Sequence, residues 1–351
     1  MKLSTPSLRR SGAIVRNFQS GVTLIELMVS ITLGLMLVAG LASLIAAQSA
    51  ARTEIDKTGA LIENGRYASN AIASDLQLAG YWGDISILPA VPAALPNPCA
   101  TDVATLQAAI PEHIQGYVYS NLAALQAGAP TLEACLPGWV GGTGILVVRH
   151  LDTKEVNVAS TLIGGQVYMQ TGLNAAGTEL GYVIGAPATT GPGSAGTFNL
   201  LKKDGTAATL RKYLTNIYYI ASTGSDGTTV IPTLKMATLS ATGTSTAMAV
   251  TPIAEGIENL QIDYGVDTDN DGAPNGSPVN GTTLDHTTWP NVMGITVTLL
   301  ARAGQTTPGY SDTKAYQLGS TAAATPAKND GYQRHVFSQT VRMVNPSGRR
   351  I

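Results

Sequence analysis

Between Leu27 and Ala47 every residue is uncharged, none is proline, and Leu, Val, Ile, Met and Ala predominate. A helix needs about 20 such residues to cross ~30 Å of hydrocarbon, so the run predicts a membrane-spanning helix. Polar residues return at Gln48, yet Ile55, Ile62, Ile72, Leu76 and Ala79 recur at three, four or larger helical intervals, the spacing of one helix face. The helix is therefore expected to continue outward to Ala79. The pairs Glu54–Lys57 and Glu63–Arg66 would support its exposed side by about 0.2–0.5 kcal/mol each. Gly59 and Gly65 would each weaken it by about 1 kcal/mol relative to Ala, which predicts a bend or loosening at Asn64-Gly65. Gly80 reads as the stop.

Beyond the helix the pattern changes twice. From Ile85 to Pro137, Pro89, Pro92, Pro96, Pro98 and Pro111 divide short apolar pieces, and the stretch reads as loop. Strand patterns come next, at 144–149, 166–169, 212–221, 257–264, 294–302 and 332–344, separated by Gly and Thr clusters. Ile295, Val297 and Leu299 alternate with Thr296 and Thr298, as in a sheet with one covered face. The fold class is α+β: one long helix packed on a mainly antiparallel sheet.

Charge gives the helix a direction. Lys2, Arg9, Arg10 and Arg16 precede the apolar run, with no acidic residue before Glu26. Such an excess holds the N-terminus in the cytoplasm and exports the chain beyond Ala47. Removing these four from the 21 Lys and Arg leaves 17 against 23 Asp and Glu, about −6, the wrong sign for a general nucleic-acid surface. A charged fraction of 13% with 38 Gly suits an exported β-rich surface.

A secretory signal would place small residues after its apolar core; here the informative residues come before it. Gly21-Val22-Thr23-Leu24-Ile25-Glu26-Leu27 resembles the processing site of type IV prepilins, with Val22 where those chains usually have Phe. The resemblance implies cleavage after Gly21 by a prepilin peptidase and methylation of the new Val22 terminus. A carboxylate at the centre of a spanning helix costs about 2.5–3.5 kcal/mol, less near an interface, and usually marks a function. By resemblance, Glu26 would neutralise the terminal amine of a neighbouring subunit, or its own, during filament assembly. The alternative is a solvated carboxylate at the interface of an ordinary anchor.

Further along, Glu63-Asn-Gly-Arg-Tyr-Ala68 and Asp75-Leu-Gln-Leu-Ala-Gly-Tyr-Trp-Gly83 resemble PilW-type minor pilins, with Gln77 in place of the frequent Arg. So do Ile257–Gly265 and Tyr332–Arg342. This implies a pilin-like fold with a cleaved leader (1–21), a transmembrane and assembly helix (22–48), an amphipathic stem (49–80), a loop-rich insertion (81–140) and a β-rich head (141–351). Tyr81 and Trp82 would turn the chain and anchor head to stem. The implied role is assembly or initiation of a type IV pilus near its tip. Partners would be the prepilin peptidase, other minor pilins, the major pilin, and the inner-membrane assembly platform. The chain would begin in the inner membrane with its head in the periplasm. Two alternatives share the leader: a minor pseudopilin of a type II secretion system and a pilus-presented adhesin. No enzyme is read.

Two further features sit in the exported part. Cys99 and Cys135 are most simply a disulfide in an oxidising compartment, stabilising by about 4 kcal/mol on the chain-entropy account; two unpaired buried thiols are the alternative. Asp267-Thr-Asp269-Asn-Asp271-Gly272 opens like a calcium loop. Pro278 stands where an EF-hand needs its bidentate Glu, so the ligands would be Asp267, Asp269 and Asp271, with Ala273 carbonyl, Asn275 or Asp285 as additions. A solvated acidic turn is the alternative reading. Gly191-Pro-Gly-Ser-Ala-Gly196 fits G-x-G-x-x-G in letters but has no helix after it. His113, His150, His286 and His335 lack zinc spacing, and no nucleophile elbow is present.

Overall fold

The structure is a computed structural model and describes residues 21–85, 88–192, 198–320 and 323–350. Lys2, Arg9, Arg10, Arg16 and most of the predicted leader lie outside the described residues, as does most of the glycine motif at 191–196. The chain divides into two units, residues 1–55 and 56–351.

Helix α1 (Leu24–Leu78) is continuous by backbone hydrogen bonding. In the first unit its apolar residues are exposed on every side, from Leu24 at 76% to Val29 at 51%. A helix apolar all round is one that water does not surround, and this one has the length and composition to cross a membrane.

In the second unit α1 buries Leu61, Gly65, Ala68, Ser69, Ile72, Ala73 and Leu76, one face at helical spacing. Three of the five predicted positions, Ile72, Leu76 and Ala79, are buried; at the start of the face Leu61 is buried and Ile62 half-buried, and Ile55, in the first unit, is exposed. The expected loosening at Asn64-Gly65 is not found. Gly65 instead lies under Phe337, whose Cε2 would be 2.1 Å from an added Cβ, so the glycine is there for close approach. Asn64 Nδ2 donates to the Glu255 carbonyl and Ser69 Oγ to Gln339 Oε1, tying the same face to the head. Gly80, at φ +70°, ends the helix, and Asn345 Nδ2 donates to the carbonyls of Gln77 and Ala79. These are among the acceptors a helix C-terminus leaves unpaired.

Short elements come after it: α2 (Val103–Ala108), β1 (Ile114–Val118), α3 (Leu122–Gly128) and α4 (Pro130–Glu133). The stretch read as loop thus holds a strand, and β1 pairs antiparallel with the next, Ile114 opposite Val148. Gly116 interrupts the apolar pattern there because Tyr264 Oη would be 1.8 Å from a Cβ.

The remaining strands are β2 (Gly144–Val156), β3 (Thr161–Leu162), β4 (Tyr168–Leu173), β5 (Leu180–Gly185), β6 (Gly191–Pro192), β7 (Leu210–Ala221), β8 (Thr233–Thr242), β9 (Ser245–Glu255), β10 (Ile257–Val266), β11 (Val279–Asn280), β12 (Val292–Arg302) and β13 (Arg334–Arg342). They build a seven-stranded sheet, β1-β2-β7-β4-β5 with β8 and β9 branching from β7, a four-stranded sheet β11-β10-β12-β13, and the pair β3-β6. All these pairings are antiparallel. One core joins α1 to both sheets through Ile72, Leu146, Tyr218, Leu260 and Val297. The last helix, α5 (Val344–Gly348), carries Asn345 to the end of α1.

Candidate functional site

In the first unit, Thr23 precedes α1 and Glu26 is its third residue. Glu26 N donates to Thr23 Oγ1 at 3.3 Å, and Thr23 Oγ1 donates to Glu26 Oε2 at the same distance. Thr-x-x-Glu is the spacing of a capping box, here closed through the hydroxyl. An acidic side chain in the first turn also meets the positive end of the helix dipole. The sequence reading gave Glu26 an assembly role or a solvated place at the interface; the T-x-x-E spacing was the sign of a further, local one. Ser30 Oγ donates to the Glu26 carbonyl. Gly21 and Val22 precede the helix and are exposed.

In the second unit Trp82 is fully buried and stacks on Tyr213, ring centroids 5.4 Å apart. The Tyr81 carbonyl accepts from Leu151 N, with the Arg211 guanidinium over the Tyr81 ring. Cys99 and Cys135 form a disulfide with Cα atoms 6.0 Å apart, tying the segment before α2 to the residues after α4.

The acidic loop joins β10 to β11. Oxygens of Asp267, Asp269 and Asp271 lie within 4.8 Å of one another, a surface cluster able to coordinate a divalent ion such as calcium. The loop's own bonds already engage it. Buried Asp267 accepts from Asn270 N, Gly272 N and, at 3.0 Å, the Arg350 guanidinium. Burial raises its pKa, but those bonds outweigh it and hold the carboxyl below its usual value. Asp271 Oδ1 accepts from Ala273 N and Asp269 Oδ2 from Asn275 Nδ2. Asp285 stands outside the cluster and accepts from Thr287 and Thr288.

Two buried polar groups escaped the sequence reading. Asp75 accepts from His150 Nε2 at 2.7 Å and from Asn216 Nδ2 at 3.0 Å. Burial pulls His150 down, yet the Asp75 carboxylate prevails and its pKa is raised. Glu112 is fully buried with neither carboxylate oxygen hydrogen-bonded among the described residues. Burial pushes it up to about 8. Next to it, His113 is buried against the Val292 carbonyl and pushed down to about 4. Single charged residues inside otherwise apolar stretches were the available signs.

A long helix, apolar along its first part and packed along its second on an antiparallel head, defines a pilin-type architecture. Residues 16–42 match the prokaryotic N-terminal methylation motif, and residues 217–345 match the family described as Type IV Pilus-assembly protein W. The later part of the chain is thus similar to a type IV pilus-assembly family, and its first helix carries the methylation motif. A solved type IV-like pilin from Thermus thermophilus is similar over 38% of this chain at 18% identity and a TM-score of 0.23. The chain spans 66%, just under two thirds, of that pilin's length. No curated protein sequence matches the chain.

Proposed function

We propose that the chain is a minor pilin that takes part in assembling or initiating a type IV pilus near its tip. The observation that carries the reading is the pairing of a methylation-motif helix with a head matching a pilus-assembly family. In this reading residues 1–21 are a leader removed by a prepilin peptidase, leaving Val22 as a methylated terminus. Residues 22–48 hold the precursor in the inner membrane, N-terminus cytoplasmic and head periplasmic, and later pack among other pilin helices. Residues 49–80 are the stem, and residues 81–140 and 141–351 lie in the exported part. Partners are the major pilin, other minor pilins and the assembly platform.

The exposed apolar half of α1 supports this, since a helix leaving lipid gains by packing and by satisfying its polar groups rather than by escape from water. Glu26 supplies the polar group: it sits one turn from the future amine, and an ammonium donor can replace its contacts to Thr23. Glu26→Ala is expected to leave cleavage largely intact and to reduce incorporation into sheared pili. Normal incorporation of a correctly cleaved Glu26→Ala chain would overturn that assignment.

A further inference from the structure

Five strands end the two larger sheets, and four are guarded. Gly281 packs on the Gly116 carbonyl of β1; α2 reaches β5 through Gln107 Nε2 to Tyr182 Oη; β11 has two residues; β13 carries Arg334, His335 and Arg342. Charged side chains, short length and covering elements are the usual protections of an edge. β9 has no charged residue from Ser245 to Ala254, and among the described residues it pairs with β8 alone; at its start Gly165 packs on the Ser245 backbone and accepts from Thr246 Oγ1.

Its backbone pattern is set by the turn before it. Thr242 faces Ser245 across Gly243-Thr244, with Gly243 at φ +64°, as a two-residue hairpin of type II′ requires. The closing pair of such a turn is hydrogen-bonded, and bonding alternates along an antiparallel ladder. Ser245, Ala247, Ala249 and Thr251 therefore bond to β8, while Thr246, Met248 and Val250 turn their N–H and C=O groups outward. Ala249 and Val250 are exposed. Pro252, and the bulge that skips Ile253 in the register, end the available edge, since proline has no donor to offer.

The segment Ser245-Thr-Ala-Met-Ala-Val-Thr251 reads almost the same in both directions from Met248. Ala247 mirrors Ala249, Thr246 mirrors the isosteric Val250, and Ser245 mirrors Thr251. We infer that β9 is a self-association edge: a second copy of this chain adds its own β9 antiparallel, on a two-fold axis through Met248. Such an interface is isologous, the same patch serving both partners. Met248 would face Met248 of the second copy as a hydrogen-bonded pair, Thr246 would face Val250, and no like charges would be opposed. Main-chain bonding supplies affinity in strand addition, and the side-chain pattern supplies register.

The test uses the full chain in detergent micelles. Sedimentation equilibrium should show a monomer–dimer equilibrium. Val250→Pro removes only an outward N–H, tolerated at an edge, and should weaken the dimer by about tenfold or more while circular dichroism stays unchanged. Val250→Asp, which brings an unpaired carboxylate to the same edge, should act alike and stands in if the proline variant misfolds. Met248→Cys should give an intermolecular disulfide on mild oxidation, because a hydrogen-bonded antiparallel pair holds its Cα atoms about 5.5 Å apart, within disulfide reach. Val230→Cys, exposed elsewhere at 78%, should not. A monomeric chain, a dimer indifferent to both Val250 variants, or equal cross-linking at both cysteines would overturn the inference.

Discussion

Replacing Gly65 by alanine sets two effects of opposite sign against each other. Inside a helix the change contributes about 1 kcal/mol of propensity. Here the new Cβ would stand 2.1 Å from Phe337 Cε2 and 2.5 Å from Cδ2 and Cζ, where carbon atoms prefer about 3.5–4.0 Å. The ring must move by more than 1 Å (roughly, by that difference), and it is held edge-on by His335 at 4.8 Å. Overpacking of this kind costs about 1–3 kcal/mol, so Gly65→Ala should be neutral to destabilising by about 2 kcal/mol. With Phe337→Ala the obstruction is gone, and the same substitution should stabilise by about 1 kcal/mol. The assay is urea unfolding of the full chain in micelles, followed by fluorescence of Trp82, Trp139 and Trp289, as a double-mutant cycle. A gain of equal size in both backgrounds would refute the argument that Phe337 is why residue 65 is glycine.

Arg334→Ala should destabilise by about 3–5 kcal/mol, because it strands fully buried Asp312 together with Glu258 and Asp330, and an uncompensated buried charge is costly. Urea midpoints measure this, and a loss under 1 kcal/mol (about the surface-pair value) would contradict it. Glu112 keeps its proton up to about pH 8 in the folded chain, whereas an unfolded Glu loses it near 4.3 (about the reference value). Between those pH values the native state binds the extra proton, so stability falls as pH rises, by up to about 1.4 kcal/mol per unit. Glu112→Gln should flatten that limb of the unfolding profile; an unchanged slope would reject the assignment. For the acidic loop, calcium at ten times its dissociation constant should raise stability by about 1.4 kcal/mol. A chelator should change little, since Arg350 and backbone N–H groups already hold Asp267. No calcium shift at millimolar concentrations, the range of about 10⁻⁴–10⁻³ M for weak extracellular sites, would leave the turn as a solvated one.

Legibility followed the strength of local pattern. The apolar run, the helix stop at Gly80 and the strands around Val147, Ile217, Ile262 and Val297 were readable because their periodicity is dense. β8 and β9 were missed: Thr, Ala and Ser dominate them, and the same residues served as separators elsewhere. β1 was missed because Gly116 answers to Tyr264, some 150 positions away (roughly, as any non-local packing demand overrides local propensity). Gly65 was misread for the same reason, its partner Phe337 being invisible to helix propensity. The candidate loop at Asp267 was readable as spacing, but the Arg350 contact that competes for it was not, since it depends on where the C-terminus docks. Thr23 and Glu26 show the reverse case, a local capping pattern that a functional reading hid.

The central claim is that the chain enters a filament as a processed pilin. The most direct measurement is the N-terminal mass of the chain recovered from sheared pili and from membranes, in cells with and without the prepilin peptidase. The account predicts a methylated Val22 terminus in the pilus fraction, lost when the peptidase is removed. An intact Met1 terminus confined to membranes in both strains would contradict it.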